Sequence, residues 1–237
     1  MCRRLEGKNA LITGGSRGIG YAIAAEYARQ GAAVALLSRN RRHLADALDR
    51  LAEEVPDADA AVVQADVTDR AAVEDAVDRV GVVDVLVNAA GIASLGDIDE
   101  MAPEEWRRIV EVNLLGVYHV TRAVWPRMKQ QGAGSIIMIS SGSGRRAHGG
   151  WSAYCAGKFG VMGLADALAK EGRPHGIRCN IICPGPTDTD QRRANFPDED
   201  RSKLLQPEQV ARAAVFFASD ESRWVSGPGI DVRRNPI

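Results

Sequence analysis

Short, nearly unbroken apolar runs alternate along this chain with longer stretches in which apolar residues recur every third or fourth position. The runs at 8–13, 33–38, 61–65, 83–88, 135–140, 177–183 and 229–233 predict strands. The periodic stretches at 18–30, 42–54, 71–80, 103–131, 151–171 and 207–219 predict helices. Strands joined by helical crossovers make a parallel sheet, so the expected fold is α/β: a doubly wound, seven-stranded parallel sheet. No Pro/Ser-rich linker and no break in composition interrupts the alternation, which predicts a single domain over 1–237. The least regular stretch lies after the sixth strand and is rich in charge (Asp188, Asp190, Arg192, Arg193). In open parallel sheets ligands bind beyond the carboxyl ends of the strands. Residues 186–206 are therefore expected to form a short substrate lid, against the plainer alternative of a solvated loop.

Composition narrows the partners. With 45% hydrophobic and 26% charged residues the chain is of ordinary globular type, and a net charge of −1 argues against bulk attraction to nucleic acid or to an anionic membrane. No apolar secretory stretch opens the chain and no run approaches a membrane span, which places it by expectation in the cytoplasm. Cys2, Cys155, Cys179 and Cys183 show no framework spacing. Cys179 and Cys183, near His175, are read as small buried hydrophobes, and no metal site is expected.

Candidate chemistry begins after the first strand, at Thr13-Gly14-Gly15-Ser16-Arg17-Gly18-Ile19-Gly20. Glycines let the backbone turn tightly and approach a diphosphate, and the helix that follows offers free N–H groups and positive dipole. The strand before and the helix after supply the context such a string needs before it counts. An acidic residue at the end of the second strand would mark an NAD site, since it binds the ribose 2′-hydroxyl. Between Glu26 and Asp46 there is none; that strand ends in Ser38-Arg39, and Arg17 sits inside the glycine turn. Arg17, Ser38 and Arg39 therefore predict a 2′-phosphate site and NADP(H) as cofactor.

Tyr154 and Lys158 are four apart near the start of a predicted helix and share one face. A phenol titrates near 10 and is a poor base at neutral pH, so Tyr154 is expected to be lowered by the Lys158 ammonium and the positive ring of an oxidised nicotinamide. It would then be a general acid in reduction and a general base in oxidation. Ser141 ends the fifth strand, thirteen residues before Tyr154, where its hydroxyl meets the substrate oxygen as charge develops. Asn113 stands mid-helix, an awkward place for a residue that favours caps and turns. Trp151 and the loop 144–148, lying between Ser141 and Tyr154, are expected to line or rim the substrate site. Within that loop Arg145 and Arg146 are read as either attractors of an anionic substrate or solvated charges.

The spacing Thr-Gly-x-x-x-Gly-x-Gly, with Ser141, Tyr154, Lys158 and Asn113, resembles the short-chain dehydrogenase/reductases over nearly the whole chain, including members that reduce 3-oxoacyl thioesters on carrier protein. The resemblance implies a Rossmann-like sheet and hydride transfer between NADP(H) and a carbonyl or alcohol. It implies that Asp66 and Val67 hold the adenine. Asn88, Ala89 and Gly91 would steady the sheet and the adenosine, and Ala89 stands where the family more often has a second Asn. Lys158 would hold the nicotinamide ribose, and Asn113 a water that relays protons to it. Pro184 and Gly185 match the family's nicotinamide-side motif, with the main chain of Thr187 and the hydroxyl of Thr189 on the carboxamide. The resemblance also implies a homotetramer or dimer built on the helices from Pro103 and Trp151, where Leu114, Val117, Val120, Val161 and Leu164 exceed what one face against a sheet needs. The last strand departs from the family's pattern, ending in Asp231-Val232-Arg233-Arg234-Asn235-Pro236-Ile237, a departure expected to leave catalysis untouched.

Three rival readings remain open at this point. A non-catalytic dinucleotide sensor or scaffold would keep the fold without needing the four reactive residues. An NAD-dependent polyol or sugar dehydrogenase would use the same residues with the other cofactor. An epimerase or dehydratase would use the same Tyr and Lys, usually with a longer C-terminal part than the stretch after Thr189 here.

Overall fold

Seven strands form in the order of the apolar runs because the central ones are apolar on both sides, and such a strand is stable only between two helical layers. The computed structural model describes residues 3–227 and 229–234, so Cys2 and the closing Asn235-Pro236-Ile237 lie outside the described residues. The strands are β1 (Asn9–Thr13), β2 (Ala33–Ser38), β3 (Ala60–Gln64), β4 (Val85–Asn88), β5 (Gly134–Ile139), β6 (Ile177–Pro184) and β7 (Gly229–Val232). They pair parallel throughout, in the order β3-β2-β1-β4-β5-β6-β7. Helices α1 (Gly18–Arg29), α2 (Arg41–Glu54) and α8 (Pro207–Ala218) cover one face; α3 (Arg70–Val80), α5 (Gly116–Gln131) and α6 (Ser152–Gly172) cover the other.

Alternation along the central strands sorts side chains between these layers. In β5, Ile137 and Ile139 join the core with Tyr27 and Phe217, whereas Ile136 and Met138 join the core with Val120 and Val161. Burial of such side chains is worth roughly 1.5–3 kcal/mol each, so a slip of one residue in register would be costly along the whole strand. Outer strands obey this less: β3 exposes Ala61 and Val62, and β7 exposes Ile230 and Asp231.

The order reverses between β1 and β4, whose last residues Thr13 and Asn88 are partners. A crevice opens at such a reversal because the following connections leave in opposite directions. Here the glycine turn leaves β1 and residues 89–91 leave β4. Thr13 ties the two, its hydroxyl accepting from the backbone N–H groups of Ala89 and Ala90 at 3.0 and 3.1 Å.

Two expectations about the elements need correction. The single helix expected over 103–131 is three pieces: α4 (Pro103–Val110), a π-helical turn over Glu111–Leu115, and α5. Asn113 sits in that turn, and its side-chain amide donates to Ile109 O at 2.9 Å. That carbonyl is the one its own N–H would take in an α-helix, so the side chain displaces the backbone and the helix widens. The irregular 185–206 stretch contains a helix, α7 (Asp190–Asn195). Thr189 starts it by accepting from Arg192 N–H at 3.2 Å, and Asp190 in its first turn with Arg192 and Arg193 in its last complement the helix dipole.

Candidate active site

The crevice is one end of a cavity of about 590 Å³ that runs along the carboxyl ends of the strands. Gly14, Ser16, Arg17, Gly18, Ile19 and Gly20 wall one end together with Ser38, Arg39 and Val67; Ala89 and Gly91 form the floor. Ser141, Trp151, Tyr154 and Lys158 wall the other end, with Pro184, Gly185, Thr187 and Thr189 along the side between them.

Backbone packing explains the glycines. A Cβ on Gly14, whose φ is +64°, would stand 2.9 Å from the Cα of Ala90, and one on Gly20 would stand 2.3 Å from the carbonyl oxygen of Gly14. Only glycine lets the turn press against both β4 and its own helix. The helix start it exposes carries no side-chain cap. Asn40 and Asp69 cap α2 and α3 with their side chains, whereas Arg17 precedes α1 with an extended backbone and no side-chain cap. First-turn N–H groups of α1 thus face the cavity with helix-dipole charge and no acidic neighbour, a setting that suits a diphosphate. Nearby, Ser16 Oγ donates to Ser38 Oγ at 3.2 Å, and Gln64 Nε2 holds the main chain of Arg39 at 3.1 Å. Arg39 has an acid within 4 Å only in Asp66, at 3.9 Å, and Arg17 makes no ion pair with any described residue. These residues fit the phosphates and ribose of a nicotinamide dinucleotide.

At the far end, Ser141 follows β5 with an extended backbone and accepts from Ser143 N–H at 3.1 Å, which aims its hydroxyl across the cavity toward Tyr154. Tyr154 and Lys158 lie on α6, four apart on the face turned to the cavity. Burial pushes the Tyr154 phenol above its ordinary value of 10, while the Ser141 hydroxyl and the Arg192 charge pull the other way. The lowering expected from Lys158 is not found. The Lys158 ammonium lies 5.6 Å from the tyrosine ring centre and donates to Ile139 O at 2.9 Å; burial brings its own pKa down to about 8. Without a cofactor's charge, the resting phenol is therefore protonated at neutral pH.

Asn113 lies behind this wall rather than in it. Fully buried, it donates to Ile92 O at 2.7 Å as well as to Ile109 O, and its Oδ1 accepts from Ile92 N–H at 3.3 Å. Both amide hydrogens are engaged, so a water bound by this residue has to meet its oxygens. Gly91 makes room for it: a Cβ there would lie 2.8 Å from Asn113 Oδ1 and 3.5 Å from Lys158 Nζ.

Other expected site residues sit elsewhere. Asn88 is buried away from the cavity and donates to Thr121 Oγ1 at 3.0 Å and toward Met138 Sδ at 3.4 Å, a tie between β4 and α5. Asp66 is beside the cavity, not in it; its Oδ1 accepts from the N–H and hydroxyl of Thr68. Of the loop 144–148, His148 lines the cavity, while Gly144 is buried beneath it and Arg145 and Arg146 point out to solvent. Arg145 is tied to the last strand, 2.8 Å from Asp231 and donating to Gly229 O at 2.5 Å. Val232 O also accepts from Gly185 N–H at 2.8 Å, so that strand buttresses the site through its main chain. Burial raises the Cys179 thiol to about 12, which suits a buried hydrophobe rather than a ligand.

Ser143, Gln191, Asn195 and Phe196 also line the cavity, and the sequence did not single them out. Phe196 carried a signal, an aromatic alone in a polar stretch, whereas Ser143, Gln191 and Asn195 carried none.

On the shared surface of the helices, Val117, Val120 and Val161 prove to be core, and Leu114 and Leu164 are half-buried. The apolar side chains exposed there are Leu115, Tyr118 and Phe159.

Comparison with known proteins matches residues 8–200 to the family described as short chain dehydrogenase. The chain is 38% identical over 243 residues to the 3-oxoacyl-[acyl-carrier-protein] reductase of Thermotoga maritima, covering 97% of each chain. Among solved structures it is similar to a gluconate 5-dehydrogenase from Burkholderia cenocepacia in complex with NADP and tartrate (TM-score 0.90, 33% identity, 98% of this chain and 95% of that one). It is similar as well to a 3-oxoacyl-[acyl-carrier protein] reductase from Brucella melitensis with bound NAD (TM-score 0.89, 33% identity, 98% and 92%).

Proposed function

The chain belongs to the short chain dehydrogenase family of oxidoreductases, and from that premise we propose that it reduces a carbonyl or oxidises a secondary alcohol with NADP(H), using Tyr154 as the proton donor or acceptor. The observation that carries this reading is one cavity with Ser141, Tyr154 and Lys158 at one end and the uncapped α1 N-terminus with Arg17 and Arg39 at the other. A bare sensor of dinucleotide has no use for the first of those ends. The NAD-bound relative argues for a nicotinamide dinucleotide of either kind, so the preference for NADP(H) rests on this chain's own arginines.

When bound, the nicotinamide supplies or takes up the hydride and, in its oxidised form, places a positive ring near the phenol. In reduction the Tyr154 hydroxyl donates its proton to the substrate oxygen as charge develops there, and the Ser141 hydroxyl donates a second hydrogen bond. Lys158, anchored through Ile139 O, has two further N–H groups for the nicotinamide ribose and for a water beside Asn113. Thr187 turns its hydroxyl to Gly185 O at 2.9 Å and leaves its main chain for the carboxamide; the Thr189 hydroxyl, an acceptor for α7, keeps its proton to donate. Residues 186–206 serve as the lid over the substrate. The reading includes a cytoplasmic home and a homotetramer or dimer joined through Leu115, Tyr118 and Phe159.

The test is a panel of carbonyls and alcohols assayed with NADPH, NADH and their oxidised forms across pH. Because burial keeps the phenol protonated, reduction should hold steady through neutral pH and fall on the alkaline side, while oxidation, which needs the phenolate, should rise with pH. Absence of carbonyl-dependent NADPH oxidation throughout the panel would defeat the proposal.

A further inference from the structure

Arg192, Phe196, Trp151 and Tyr154 form a continuous stack from the surface to the reacting hydroxyl. The Tyr154 and Trp151 ring centres are 5.4 Å apart and edge-on, and Trp151 and Phe196 lie 5.9 Å apart and only 19° from parallel. The Arg192 guanidinium then sits 3.8 Å over Phe196. Glu199 holds that guanidinium with both oxygens, at 2.6 Å from Nε and 2.6 Å from Nη2, and in return its carboxyl is held below the usual range. Asn195 adds a tie to the opposite wall, donating to Ala93 O at 3.3 Å.

This arrangement leaves the space before Tyr154 roofed by two flat rings. A cavity of about 590 Å³ lies within the range of sites for a single drug-sized ligand, yet it has to admit a dinucleotide as well as the substrate. Three of the cations around the roof are engaged: Arg192 with Glu199, Arg193 with Asp188 and Arg145 with Asp231. A phosphate-bearing arm entering past Arg192 would find that charge already taken by Glu199.

Resting on the carbonyl-reduction reading above, we propose that Phe196, held flat on Trp151 by the Arg192–Glu199 clasp, is a size filter that restricts the site to compact carbonyl and alcohol substrates and excludes long acyl-thioester arms. Phe196 is the specificity-determining residue, and Arg192 and Glu199 are positioning residues that act through it.

The experiment measures kcat/KM with NADPH along unbranched methyl ketones from butanone to dodecanone, and with acetoacetyl-coenzyme A. In the native protein kcat/KM should fall by at least about tenfold between neighbouring members once the chain meets the roof, since a misfitting methylene is worth roughly tenfold or more. Phe196→Ala should restore the long members by about that factor and leave the short ones within a few-fold. Long ketones or the thioester turned over as well as butanone by the native protein, or an unchanged length profile in Phe196→Ala, would overturn the filter. Hydrogen exchange on the NADPH-loaded protein tests the clasp apart from turnover. Glu199→Gln should speed exchange of the α7 amides about tenfold while the sheet amides stay unchanged, and equal protection would overturn the clasp. Should the native protein turn over no carbonyl at all, it is the functional reading that fails, and the exchange result decides the clasp alone.

Discussion

Arginines stand in or near both ends of the cavity, and they differ in what they are free to do. At the cofactor end the walls are backbone amides, Arg17 has no ionic partner among the described residues, and Arg39 has a loose one at 3.9 Å. At the substrate end Arg145, Arg192 and Arg193 lie 2.8, 2.6 and 2.7 Å from carboxylates of Asp231, Glu199 and Asp188. A paired charge has a field that dies away quickly, while an unpaired one reaches a ligand across the cavity. The first end therefore suits a doubly charged phosphate and the second an uncharged carbonyl. Charge counted along a chain is not charge offered to a ligand; the neighbours supplied by folding decide how much of it remains.

The largest expected effect breaks the substrate end outright. Tyr154→Phe removes the transferable proton and little volume, so kcat should drop by about 10²–10⁴-fold while NADPH binding, followed by fluorescence titration, stays within a few-fold. Full activity in that variant would end the proposed mechanism. Lys158→Ala should weaken turnover and cofactor binding together, because its ammonium lies beside Tyr154 and, on the proposed reading, also holds the nicotinamide ribose.

A smaller effect sharpens the cofactor end. Arg39→Asp replaces a cation facing the 2′-phosphate with an anion, and one charge-assisted hydrogen bond is worth about 1.5–3 kcal/mol, or roughly tenfold and more. The ratio of kcat/KM for NADPH to that for NADH should fall by at least that factor. A native ratio below one, or a ratio indifferent to the substitution, would show that the two ends do not differ as argued.

The smallest effect belongs to Arg145→Gln. Its ion pair with Asp231 is partly exposed, and surface pairs contribute about 1 kcal/mol or less, so urea unfolding should register a minor loss. Acidic and neutral substrates should keep their native kcat/KM values. Selective loss of the acidic ones would mean that the substrate end does use a free cation.

Much of this was legible before folding because it depends on neighbours in sequence. Tyr154 and Lys158 share a face through helix geometry alone, and the glycine turn announces itself between a strand and a helix. Asn113 was visible as a misfit in a helix, but the displaced Ile109 hydrogen bond that makes the misfit a π turn was not. Val117 and Val120 looked like surplus apolar surface and proved to be core, because α5 packs against both β4 and α3. Arg145 was expected at the rim, and a strand more than eighty residues away holds it outside.

By itself the sequence determined the order of strands and helices along the chain, the glycine turn between β1 and α1, and the shared face of Tyr154 and Lys158, since periodicity and short spacings act within a few residues of chain. The tertiary structure decided the rest: that Lys158 is buried and its pKa brought down to about 8, that Phe196 comes to lie on Trp151, and which arginines remain unpaired. Those outcomes depend on desolvation and on contacts between residues distant in the chain, and both come into being only when the sheet and its two helical layers close on one another.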